Sequence, residues 1–399
     1  MISIALRGHV STHLLGLCVT CACGFAASGQ PNISHSFGPD QCGPVDPAYI
    51  RTANETGGVP LFLQRNEAVK AMQLMRESTR ENVSTVLWAS SKLDARIYNL
   101  DVPVDSVTER ITFTFSVDTK GTGLVLRGPD GHVVSEGSVG TEDTELNCGR
   151  IITVEKPQPG IWQAQVSGSG TFWLEAQAQS EIYFISAEFV KLGGRPGHEG
   201  LFKIQGQPLA GEPATLQATV SAAETRTATL SLVSESADVL QNLRMTEGGE
   251  ERDPLEFTGE VPLPGVPFRV AVSGQDTKGM RFQRFFGPLF HAATIALIPK
   301  MDFDELAPGS TREAEFEIRN LGPARSFEVV VTDARRFATF GERRSITLGA
   351  HQTGSFKVKL TVPSGTEQGV EDDLVVVASS TSGAPTTNSA IVRLTVSGK

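Results

Sequence analysis

The sequence predicts a mainly β protein built from tandem immunoglobulin-like or jelly-roll-like sandwiches. Three observations carry that reading. Short apolar runs of period two recur from about residue 93 to Lys399, and Gly and Pro (40 and 22 residues of 399) stand at the corners between them. The third is Ile151–Val166, where two strand-like runs flank Pro157-Gln158-Pro159-Gly160 and Trp162 follows as a core anchor. Gly160 suits such a corner because it tolerates positive φ, and the two prolines remove amide donors from the preceding ladder.

Taken in order, residues 1–30 read as a secretory signal or a disordered N-terminus. Arg7 precedes the mostly apolar Leu14–Ala27, which ends in small residues. Cys18, Cys21 and Cys23 fall in that segment, with no His or Cys partner at metal-ligand spacing. Once it is removed, Cys42 and Cys148 remain, either as one disulfide or as two independent thiols. Sequons at Asn32, Asn54 and Asn82 become usable if the chain is exported. From Asn66 as cap, Val69, Met72, Met75, Val83, Val86 and Leu87 make an apolar stripe of helical period.

Residues 93–191 form the first expected sandwich. Ile111, Phe113, Phe115 and Val117 alternate with Thr112, Thr114 and Ser116, the pattern of a half-buried strand. A second sandwich is expected over 192–298, on the alternation of Leu216, Ala218 and Val220 and of Phe268, Val270 and Val272. Within it, Arg281, Gln283 and Arg284 interleave with Phe282, Phe285 and Phe286, either as a solvated strand face or as a partner-binding patch. The loop around Glu247–Asp253 is a second candidate surface. Residues 299–399 carry about seven short strands with turns at Asn320–Pro323 and Pro363–Gly365, an immunoglobulin-like sandwich without the internal cysteine pair of antibody domains.

Composition excludes several function classes. A formal charge of -10 offers no basic footprint for nucleic acid, and no apolar run has the length of a transmembrane helix. There is no G-x-S-x-G elbow, no H-E-x-x-H and no P-loop. His132, His198, His291 and His351 stand singly. No catalytic residue and no cofactor is therefore expected. Two acidic groups, Asp101 with Asp105 and Asp118, and Asp302 with Asp304 and Glu305, keep a calcium- or carbohydrate-binding accessory module as the alternative function.

Distributed similarity adds a family. Tyr49–Phe62 (YIRTANETGGVPLF), with the Val69–Trp88 helix behind it, resembles the end of a von Willebrand factor A domain in hemicentin-like secreted proteins. LDARIYNLDVPVDSVTERITFTFSV, LVLRGPDG and ITVEKPQPGIWQAQVSGSG resemble the β module that follows that domain, and VPFRVAVSGQDTKGMRFQR a later segment. The resemblance spans roughly residues 45–290 and implies a C-terminal A-domain remnant at 45–92. It also implies a secreted, extracellular-matrix role with an extracellular protein partner. The D-x-S-x-S loop of the family's adhesion site is absent from this sequence, so no metal-dependent adhesion is carried over.

Overall fold

A computed structural model describes Cys42 and residues 47–398, apart from 43–46, 68, 71–73, 75–79, 136, 196, 222–223, 249–253, 342 and 384. The chain divides into two compact units. The first comprises residues up to Glu188, Leu216–Gly259 and Val266–Phe290. The second comprises Phe189–Thr215, Glu260–Gly265 and His291–Lys399.

A helix, α1 (Pro47–Thr56), comes first. The strands β1 (Val83–Lys92), β2 (Tyr98–Val104), β3 (Arg110–Val117), β4 (Gly123–Arg127), β5 (Thr141–Leu146), β6 (Gly149–Glu155), β7 (Gly160–Ser167) and β8 (Thr171–Gln179) follow. Then come β9 (Phe184–Gly193), β10 (Gly200–Lys203), β11 (Thr215–Val220), β12 (Thr225–Val233), β13 (Val239–Asn242), β14 (Thr246–Gly248), β15 (Leu255–Glu260), β16 (Arg269–Asp276) and β17 (Arg281–Phe285). The last group is β18 (Ile295–Pro299), β19 (Glu305–Leu306), β20 (Thr311–Asn320), β21 (Arg325–Thr332), β22 (Ala338–Thr339), β23 (Arg344–Leu348), β24 (Thr353–Thr361), β25 (Glu371–Ser380) and β26 (Thr387–Val396).

The first unit is organised by a nine-stranded sheet of order β13-β12-β16-β17-β1-β8-β3-β6-β5, with a three-stranded sheet β2-β7-β4 beside it. Trp162, on β7, is buried and stacks on Phe113 of β3 at 6.1 Å between ring centroids, and its indole N–H donates to Gln158 O at 2.9 Å. Gly160 has φ of 139°, as its corner required. A further five-stranded sheet runs β10-β9-β11-β15-β14.

Two expectations need correction. The helical stripe does not reach Trp88: residues 83–92 are β1, a central strand hydrogen-bonded to β8 on one side and β17 on the other. Thr85 to Ala89 are buried without interruption, and a strand covered on both faces loses the alternation that would reveal it. Of the stripe, Val69 is exposed, Val86 and Leu87 are buried on β1, and Met72 and Met75 lie outside the described residues. With β1 in the sheet, strands from the expected 93–191 and 192–298 modules share one ladder, and the 191/192 boundary falls inside β9.

The second correction concerns the threonine face of β3. Thr112, Thr114 and Ser116 are as buried as Ile111, Phe113 and Phe115. Register puts them on one side of the sheet with Glu175, Gln177 and Trp173 of β8. That side is covered by the N-terminal segment, where Leu61, Phe62 and Leu63 are buried and Phe62 meets Trp173 edge-to-face at 5.6 Å. Cys42, joined to Cys148 by a disulfide with Cα atoms 5.8 Å apart, anchors the start of this cover.

In the second unit, β18-β20-β24-β22 and β19-β26-β25-β21-β23 form the C-terminal sandwich. Phe316 pairs with Phe356 across β20 and β24, their rings stacked at 5.5 Å, while Glu313, Glu315, Lys357 and Lys359 occupy alternate register positions. The core is aliphatic and aromatic, as a cysteine-free module requires.

Trp162→Ala removes the side chain that stacks on Phe113 between the three-stranded and the nine-stranded sheet. Urea unfolding should show a loss of about 3–5 kcal/mol; a loss below about 1 kcal/mol would mean that Trp162 is not a core anchor.

Candidate functional site

Two buried arginines organise the first unit from inside. Arg269, on β16, lies with its guanidinium carbon 3.9 Å from the centroid of the Trp88 ring. Its Nη1 donates to Gly287 O at 2.6 Å and its Nη2 to Asn54 O at 2.7 Å. Trp88 Nε1 donates to Gly58 O at 3.1 Å. These contacts complete the C-terminus of α1. Ala53 O accepts from Gly58 N, Asn54 O from Arg269 and Glu55 O from Leu289 N, which satisfies carbonyls that a helix end leaves open and places a cation at the negative pole. Gly57 has φ of 82° and a Cβ there would lie 2.5 Å from Gly287 Cα, so only glycine permits this approach.

The carboxylates near Arg269 are Glu175 and Glu235. Glu175 is fully buried, and desolvation pushes its pKa up to about 7 against hydrogen bonds from Thr85 (2.9 Å) and Gln177 (3.0 Å) and the field of Arg269. Burial likewise raises Glu235, and lowers Arg269 to about 10.

Arg284 is the second. It is fully buried and ion-paired with Asp105, with further bonds to Ile182 O (2.6 Å) and Ser180 Oγ (2.8 Å). This corrects the expected partner patch. Residues three apart on a strand face opposite ways, so Arg284 goes inward with Phe282, while Arg281 is exposed and Gln283, half-buried, donates to Val86 O. The candidate loop at Glu247–Asp253 lies largely outside the described residues.

The same pair removes Asp105 from any calcium cluster with Asp101 and Asp118. Asp118 receives the Thr171 amide and the Thr119 hydroxyl, and Asp101 stands exposed on β2. Among the described residues, no three His, Cys, Asp or Glu side chains converge as metal ligands, the Asp302, Asp304 and Glu305 group included. His132 pairs with Asp130, and His291 bonds Thr387 O at 2.9 Å, with burial lowering its pKa. Asn54 is half-buried in α1, Asn82 is exposed in the turn before β1, and Asn32 lies outside the described residues.

The second unit holds a cleft of about 630 Å³. One wall is β18, through Ala296, Leu297, Ile298 and Pro299; the other is the β9–β10 hairpin and the loop after it, through Phe189, Val190, Gln205 and Leu209. That loop is fixed to the sandwich. Gln205 exchanges bonds with both backbone groups of Ile391 (2.7 and 2.9 Å), and Gln207 N donates to Asn388 Oδ1 at 2.8 Å. Gly206, with φ of 71°, has no room for a Cβ against Asn388. Lys191, Lys203 and Arg319 give the cleft a mostly positive lining, opposed by Glu212. On the same hairpin Leu192, Leu201 and Phe202 are 75%, 42% and 50% exposed. The sequence reading missed these exposed residues; their signal was an apolar Leu201-Phe202 pair directly after a Gly/Pro-rich turn.

A β scaffold with buried charge networks, an immunoglobulin-like C-terminal sandwich and a preformed cleft defines a tandem-sandwich protein. Residues 296–398 match the family described as VWA7 Ig-like domain. Over 240 residues, 55% of this chain, it is 27% identical to von Willebrand factor A domain-containing protein 7 of Rattus norvegicus. Both matches relate the chain to von Willebrand factor A domain-containing proteins, and it spans about a quarter (26%) of the rat protein's length. Among solved structures, a DUF4785 family protein from Legionella pneumophila aligns with a TM-score of 0.35 and 10% identity, covering 75% of this chain and 87% of its own. Escherichia coli alpha-2-macroglobulin activated by porcine elastase aligns with a TM-score of 0.25 and 9% identity, covering 79% and 32%. Likeness at that level carries no conclusion.

Glu175 sets a pH dependence. Its folded pKa lies above the unfolded value of 4.5, so its contribution to stability is complete below about pH 4.5 and is lost as pH rises through about 7. The wild-type protein should therefore lose stability relative to Glu175→Gln between pH 5 and pH 8 in urea titrations. Parallel pH profiles for the two proteins would contradict the assignment.

Proposed function

We propose that the chain is a non-enzymatic, extracellular protein-interaction protein that engages its partner through the cleft beside the immunoglobulin-like module. The observation that carries this reading is the juxtaposition of the cleft with the exposed Leu192, Leu201 and Phe202 on the hairpin that forms its wall. Aromatic and aliphatic side chains next to a preformed concavity are the composition of an interaction hot spot, and the basic lining favours a partner segment bearing acidic groups.

Strand addition is the less favoured mode. β18 is an edge strand, but Pro299 has no amide to offer and Asn388 Nδ2 already bonds Ile295 O at 2.9 Å. The occupant is thus read through side chains rather than through a continuous ladder.

Support for export comes from the leader-like residues 1–30 and from the Cys42–Cys148 disulfide, a bond that persists in oxidising compartments. The family relation adds a secreted, matrix-type setting by resemblance. With β1 part of the sheet, residues 45–82 are what remains available as the end of an A domain. No calcium or carbohydrate site is proposed: Asp105 is committed to Arg284 and Asp118 to the Thr171 amide and the Thr119 hydroxyl.

The test is capture of extracellular proteins by the full chain, compared with Leu201→Asp/Phe202→Asp and with Lys191→Glu. Both variants should lower capture of the same partner by about tenfold or more at unchanged melting temperature. Equal capture by all three proteins would remove the cleft and hairpin from the interaction.

A further inference from the structure

All three sequons satisfy the N-x-S/T motif, Asn54 with threonine and Asn32 and Asn82 with serine, and the structure separates the two that it describes. Asn82 is exposed in the turn that leads into β1, with φ of 57°, a left-handed conformation that a short asparagine side chain tolerates. Its backbone is pinned, since Asn82 O accepts from Ser180 N at 3.0 Å. Its side-chain amide makes no hydrogen bond among the described residues. A substituent on Nδ2 would therefore extend into solvent from a fixed base. The motif hydroxyl, Ser84 Oγ, is half-buried on the second residue of β1 and makes a long hydrogen bond to Ile182 O at 3.4 Å.

Asn54 has the opposite setting. It sits inside α1, and its backbone carbonyl holds Arg269 at 2.7 Å. Its side-chain Oδ1 is buried without a partner. A glycosylated asparagine carries a secondary amide, whose trans geometry puts the sugar on the same side as Oδ1. At Asn54 that side is the buried one. The motif hydroxyl is also committed, as Thr56 Oγ1 donates to Thr52 O at 2.7 Å. A glycan here would have to lift the C-terminal turn of α1 away from Arg269 and Gly287.

We propose that Asn82 is an N-glycosylation site of the folded chain and that Asn54 is excluded. The reaction requires a polyprenyl-pyrophosphate-linked oligosaccharide. The Asn82 Nδ2–C1 bond forms, the bond from C1 to the pyrophosphate oxygen breaks, the lipid pyrophosphate leaves, and the amide proton passes to a base of the transferase. The assignment relies on the secreted reading only for the chain to meet that transferase in its own cell. A foreign leader separates the two.

The full chain is expressed in mammalian cells twice, once with its own N-terminus and once behind a cleavable heterologous secretory leader. Asn32→Gln is the common background, so that only Asn54 and Asn82 compete. Secreted protein is deglycosylated enzymatically in heavy-oxygen water and mapped by mass spectrometry. With the foreign leader, the label should appear at Asn82 and not at Asn54. Asn82→Gln should remove one glycan's worth of mobility shift, and Asn54→Gln none. An unlabelled Asn82, or a labelled Asn54 in folded secreted protein, overturns the assignment. Failure of export with the native N-terminus alone would count against the secreted reading and leave the Asn82 result standing.

Discussion

The first unit depends on a buried cation, Arg269, held between an indole face and two main-chain carbonyls. Burial of an unpaired guanidinium costs several kcal/mol. Trp88, Gly287 O and Asn54 O offset that cost, with Glu175 and Glu235 nearby. One donor, Nε, finds no acceptor among the described residues. Because Asn54 O belongs to α1 and Trp88 to β1, the same side chain ties the N-terminal segment to the sheet, with the Cys42–Cys148 bond as the second tie. Between these points Leu61, Phe62 and Leu63 close over the polar side of the sheet.

That cover marks how far the fold was legible in the sequence. Alternation found the strands wherever a single face is buried, as on β20, whose outward Glu313 and Glu315 alternate with inward Ala314, Phe316 and Ile318. It also placed Trp162 and the Gly160 corner. It failed where a second layer hides the polar face. Arg269 and Glu175 read as outward positions of ordinary strands, and only long-range register brings them beneath the segment 54–63. On β1 the uninterrupted run Thr85–Ala89 matches a helix stripe as well as a doubly covered strand. α1 was signalled by Pro47 at its first position and Gly57 after its last, the asymmetry expected of a helix, in a stretch whose Gly and Asn content argues for loop.

The candidate site was less legible still. The arginines of β17 were visible but their faces were not resolved, and Arg284 proved to be an internal ligand of Asp105. The cleft joins residues near 190–215 to residues near 296–299 and 388, and no local motif announces such a pairing. Its one local trace, which the sequence reading passed over, is Leu201-Phe202, an apolar pair without an alternating partner run. The recognition surface proposed for the second unit, the hairpin and the cleft, therefore rests on tertiary placement and not on a sequence motif.

The most direct measurement of the central claim is urea denaturation of Arg269→Met at neutral pH beside the wild-type protein. Methionine keeps much of the apolar volume over Trp88 and removes every donor to Asn54 O and Gly287 O. If Arg269 is the tie described here, the variant loses about 3–5 kcal/mol of stability, and amide exchange in residues 47–63 accelerates more than exchange in β20 or β24. A change within about 1 kcal/mol, with unaltered exchange in α1, would contradict it.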